Sequence, residues 1–263
     1  MPHSSCCALS KGGFSRPRGL PRGDSPVKKG ETSVSDDPTP IQPVVNPLPP
    51  AVVALALAIS AVEILLWAGA RGIIGGDAGV GWRVEAIQSY GFFAPLLEFI
   101  FQQQMWTTPE LIRFVTYPFI HLGFTHVLFV IVFLLALGKL VGEVLGGFAV
   151  IATFFISAIF GALVFAGVTG DPRPLVGGYP AVYGLIGTYT FILWVSYGQT
   201  GQNQYQAFTL IGLLLGIQLF FGVFFGSSSD WVAEVAGFIV GFLVAPFVAR
   251  GGLRRLFARM RQR

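Results

Sequence analysis

Polar side chains are costly inside hydrocarbon, so the few that interrupt the apolar runs of this chain are the first candidates for chemistry. They are Glu63, His121, His126, Glu143, Ser157, Tyr179, Tyr183, Tyr189 and Glu234. A His or Glu can accept a proton, and a Ser or Tyr hydroxyl can attack, provided a base stands within hydrogen-bond reach. His121 and His126 are five positions apart, which is not the i, i+4 spacing that aims two imidazoles at one metal from a helical face. There is no HExxH-type run, and the only thiols are the adjacent Cys6 and Cys7. No metal site, no cofactor and no disulfide framework is expected, and lipidation is the one open use for the cysteine pair.

The elements that must carry these residues follow from the apolar runs. "AVVALALAISAVEILLWAGA" (51–70) has the roughly 20 residues that a crossing needs. Five further spans are expected at about 118–143, 148–168, 179–197, 206–226 and 231–249. Between the first two lies a long outer loop, about 71–116, of mixed polarity, with Trp82 and Trp106 as interface-type aromatics and amphipathic pieces in the interface. Within it, Thr108-Pro109-Glu110 has the look of an N-cap, a Pro at N1 and an acidic first turn, so a helix should restart there.

Composition and charge agree with that reading. The chain has 263 residues, 53% hydrophobic and 11% charged, with mean hydropathy +0.68. Soluble domains carry about a quarter charged residues, so this is a membrane protein. Residues 1–48, rich in Pro, Ser, Gly and charge, form a disordered tail without the apolar segment of a signal peptide. The membrane domain is 49–250 and a basic tail occupies 251–263. Six Lys or Arg precede the first apolar run, six Arg follow the last, and only Arg71, Arg83, Arg113, Lys139 and Arg173 lie between. Positive flanks mark the cytoplasmic side, so both termini are expected there, with an even number of spans. The basic ends are explained by contact with lipid headgroups, and no nucleic-acid partner is expected. A bacterial inner membrane is the default location.

At three places the residues match a known pattern. "HLGFTHVLF" (121–129) followed by "LGKLVGE" (137–143) resembles the second span of rhomboid intramembrane proteases, where H-x-x-x-x-H-x-x-x-N precedes a small-residue stretch and a Glu. "GGYPAVYGLIG" (177–187) is similar to the start of that family's fourth span, G-x-S-G-A-x-x-G-L-x-G. "AEVAGFIVGFLVA" (233–245) resembles its sixth, A-H-x-x-G-x-x-x-G. The resemblance covers roughly residues 50–250. It implies an all-α, six-span bundle in which a Ser at the mouth of span 4 attacks the scissile carbonyl and a His on span 6 takes its proton.

The same resemblance argues against catalysis here. The nucleophile position is Tyr179, the general-base position is Glu234, and the two oxyanion positions are His126, retained, and Val130 in place of Asn. Pro180 replaces the Gly after the nucleophile and removes a backbone donor near the oxyanion. Retained positions are His121, His126, Gly177, Gly184, Gly237, Gly241 and Glu143. Glu143 is expected to be structural, and the G-x-x-x-G of span 6 is expected to seat it against span 4. Tyr179 and Glu234 are expected to satisfy one another through a hydrogen bond. No family counterpart is assigned to Glu63.

The implied function is that of a pseudoprotease, which binds transmembrane segments or membrane proteins without cutting them. An active protease with rearranged residues stays open; it predicts cleavage that Tyr179→Phe or Glu234→Ala abolishes. Relocation to Ser157 or to Ser227–Ser229 would require His126 to leave its oxyanion role. A third alternative is proton-linked or small-molecule transport around Glu234, which Glu234→Gln would stop. Oligomeric state and client are not legible.

Overall fold

The structure is a computed structural model that describes residues 47–103, 108–225 and 228–249. Residues 1–46 lie outside the described set, and with them almost all of the expected tail 1–48 and both cysteines. So do Trp106, Ser227 and the expected basic tail 251–263.

Ten α-helices and no strand occur among the described residues. Helix α1 spans Pro50–Ala70, with a Pro at its first turn where the amide has no helical partner to lose. The long outer loop then resolves into four short helices: α2 (Gly76–Gly79), α3 (Trp82–Tyr90), α4 (Ala94–Gln103) and α5 (Thr108–Thr116). Pro95 opens α4 instead of breaking a span, and the helix expected at Thr108 begins there.

A short 3-10 turn, Tyr117–Phe119, leads into α6 (Phe124–Leu145). This corrects the expected second span, which had its start near Pro118. Gly123 is extended, so the helix forms only from Phe124. His121 therefore precedes the helix, whereas His126 stands in its first turn. Helices α7 (Gly147–Thr169), α8 (Tyr179–Thr200), α9 (Thr209–Phe225) and α10 (Trp231–Val248) follow close to the expected limits.

Among the described residues, four helices, α1, α6, α7 and α10, are long and apolar enough to cross a membrane. Helix α8 has 22 residues but carries Tyr, Thr, Gly and Pro, and half of it is buried in protein. It packs chiefly against α10, α7 and α6. A helix enclosed by other helices needs small residues for close approach more than it needs apolar ones.

That approach is closest between α8 and α10. A Cβ on Gly241 would run into the carbonyl of Gly184, one on Gly187 into that of Phe238, and one on Gly237 into that of Pro180. Thr188 Oγ1 donates to the Gly241 carbonyl at 2.9 Å, and Tyr117 Oη donates to that of Ala158 at 2.7 Å. Such interhelical bonds in hydrocarbon are worth about 0.6–2 kcal/mol each. On the other side, Gly138 and Gly142 of α6 admit Val52 and Pro49 at the start of α1. Glu143, beside them, is half-buried near the end of α6.

Candidate functional site

The entrance to α8 is held in place before the helix starts. Leu175 and Phe92 exchange backbone hydrogen bonds, 3.1 and 2.7 Å, which ties the entrance to the segment between α3 and α4. Gly177 N–H donates to the Tyr117 carbonyl at 3.0 Å, and Gly178 N–H donates to His121 Nε2 at 3.3 Å. An acceptor Nε2 places the ring proton of a neutral His121 on Nδ1.

Gly177 has φ +98°, a backbone conformation that side chains resist. It also has no room, because a Cβ there would lie 2.5 Å from the His126 ring. The His126 ring stacks on that of Tyr179, with centroids 4.9 Å apart and planes 16° apart, and meets His121 edge-on at 5.1 Å. Val130 is fully buried, with its Cγ1 2.8 Å from where a Gly178 Cβ would stand. Tyr179, His126, His121, Gly177 and Val130 thus converge on one place.

Two partnerships were not foreseen. Glu63 is buried and pairs with Arg83 through two bonds, 2.8 and 3.1 Å, and Arg83 also donates to the His121 carbonyl. A polar chain therefore runs from α1 through α3 and His121 to the α8 entrance. Its signal was present in the sequence: an acid in an apolar run demands a partner, and only five basic residues lie between the tails.

The second concerns Glu234. It is buried, in the first turn of α10, but Tyr179 is not its hydrogen-bonding partner among the described residues. Gln218 of α9 donates through Nε2 to Glu234 Oε2. Tyr183, one turn beyond Tyr179 on α8, is buried on the same helix. The expected Tyr179–Glu234 bond is thus replaced, because stacking on His126 claims the Tyr179 ring. Gln218, the amide in the middle of the fifth apolar run, was the overlooked signal.

None of the described serines is hydrogen-bonded to either imidazole. His121 Nε2 is taken by Gly178, while His126 Nε2 and Ser157 Oγ are both buried without a hydrogen bond. Ser157 instead fills the space left by Gly184. Ser228 Oγ donates to Asp230 at 2.9 Å. Outside the spans, the Asp171 carboxyl is held well below the usual range by its bonds from Arg173, and burial pushes that of Asp230 up. No group of three or more His, Cys, Asp or Glu able to hold a metal occurs among the described residues.

A bundle of apolar helices around a glycine-packed central pair, with imidazoles gathered at the mouth of one of them, defines a polytopic α-helical integral membrane protein. Residues 108–251 match the model of the rhomboid domain, which is more than half of the chain, and the protein belongs to the rhomboid family. A search of curated proteins finds no match to the chain.

Proposed function

We propose that this protein is a rhomboid pseudoprotease, which binds transmembrane segments or membrane proteins without cleaving them. The observation that carries the reading is the stacked pair of Tyr179 and His126. At the family's nucleophile position stands a phenol whose ring lies flat on the imidazole that should help the oxyanion. The base position holds Glu234, engaged by Gln218, and the Asn position holds Val130, turned to packing against Gly178. Peptide cleavage depends on donors aimed at the developing oxyanion, and losing one costs about 3 kcal/mol of transition-state stabilisation.

The proposal includes six crossings, with α8 and α9 completing the four apolar helices. The 17 described residues of α9, Thr209–Phe225, fall within the range that a crossing needs. Both termini are placed in the cytoplasm on the distribution of basic residues, and the membrane is taken to be a bacterial inner membrane.

The test is purified full-length protein in vesicles, offered a panel of transmembrane substrates and, separately, a fluorophosphonate probe of activated serines. Binding without cleavage or labelling is the expected result. Cleavage lost on Tyr179→Phe or Glu234→Ala would establish a rearranged protease instead.

A further inference from the structure

Glu234 is 5% exposed, three residues past Trp231, on a helix apolar enough to cross a membrane. A carboxylate in such a place is costly unless donors or a cation meet it. The groups facing it are the Gln218 amide from α9, the phenols of Tyr183 and Tyr179 from α8, and the carboxylate of Asp230 from the start of its own helix. None of these is a cation. The two ion pairs among the described residues are Glu63–Arg83 and Asp171–Arg173. Arg173, the base on the Asp230 side, is therefore already committed.

An independent observation points the same way. Gln218 spends its donor on Glu234, while its own Oε1 is buried without a hydrogen-bond partner. Among the described residues, one buried acceptor thus stands without a donor where α8, α9 and α10 meet, in a medium without water to make up the difference.

We infer that the clients selected by this site are membrane-spanning helices that carry a lysine or arginine near one end of their apolar stretch. The cation takes the Glu234 carboxylate and the free oxygen of Gln218. This rests on the client-binding reading above. Gln218 is half-buried and covers Glu234 from α9, so a client arriving from the lipid displaces one amide and no charge. A lysine suits the task, because its stem lies along apolar surface while the ammonium reaches the acceptors. A client with leucine there leaves the imbalance as it was, and one with glutamate worsens it.

The test uses full-length protein in zwitterionic vesicles, which removes attraction to anionic headgroups. Labelled Leu/Ala helices of about 20 residues carry Lys, Leu, Gln or Glu one turn from the end, and association is read by energy transfer. The Lys helix should bind about tenfold more tightly than the Leu helix, and the Glu helix more weakly than either. Glu234→Gln should erase the difference between Lys and Leu helices. Equal binding of these two to the unaltered protein would overturn the inference while leaving client binding intact. Binding of the Gln helix as tight as that of Lys would overturn the cationic class in favour of amide donors. No binding by any helix would overturn both the inference and the reading beneath it. The peptide series decides the matter even if the Glu234 variant fails to fold.

Discussion

The imidazole of His126 occupies the space that a side chain on Gly177 would need, and from there it stacks on Tyr179. Gly177, two residues before Tyr179, therefore serves the stacked pair directly. Gly177→Ala adds a Cβ at positive φ against a ring 2.5 Å away. The backbone penalty alone is about 1–3 kcal/mol. Unfolding of the purified protein in mixed detergent should register a loss of at least that size.

Gly241 and Gly212 should respond unequally to the same change. Alanine at Gly241 strikes the Gly184 carbonyl, whereas Gly212 has open space around it. Overpacking should cost Gly241→Ala about 1–3 kcal/mol, and Gly212→Ala should stay within about 0.5 kcal/mol of the wild type. Comparable losses at both sites would mean that α8 and α10 are not clasped as described.

Arg83→Ala leaves Glu63 buried without its cation. Removing one partner of a buried pair costs about 3–5 kcal/mol, and with Arg83 19% exposed about 2–4 kcal/mol is expected here. Changing Glu63 and Arg83 to Leu together should recover most of the loss. The recovery stays incomplete because the bond from Arg83 to the His121 carbonyl is gone. A double-mutant cycle by thermal unfolding measures both effects.

Restoring the family residues at four positions should restore chemistry. The combination of Val130→Asn, Tyr179→Ser, Pro180→Gly and Glu234→His is expected to take up the fluorophosphonate probe, while the unaltered protein does not. The same combination built with Tyr179→Ala in place of Tyr179→Ser should stay unlabelled.

Acidification should affect the two outer carboxylates differently. Asp230 has a folded-state pKa raised by burial. Its contribution is fully present below the ordinary Asp range and is lost as pH rises through the raised value. Asp171 is depressed by Arg173, so its contribution is present at neutral pH and is lost only below the ordinary range. Between neutral pH and the ordinary Asp range, the wild type should therefore gain thermal stability as pH falls. Asp230→Asn should flatten that gain, which melting temperatures across the pH series would reveal.

Most of the fold was legible because membrane crossing imposes length and apolarity on contiguous residues, and both are visible along a chain. The small residues of α8 and α10 were legible for a related reason: close helix approach leaves a regular trace of glycines. His121 was misplaced onto a helix, since an extended Gly123 cannot be told from a helical one by type. The partners of Glu63 and Glu234 were not legible either. Arg83 lies 20 residues from Glu63, and Gln218 lies 16 from Glu234. No periodicity links side chains that meet only after helices pack.

The sequence by itself determined that this is a rhomboid-type bundle, and by resemblance alone it set Tyr179, Glu234 and Val130 at the positions expected to carry the family's chemistry. Tertiary structure decided what those residues do instead: Tyr179 stacks on His126, Val130 packs on Gly178, and Glu234 takes Gln218. The identity of a side chain is a local fact. Its partner is set by which helices lie against one another, and without water every polar group must accept what that packing brings within reach.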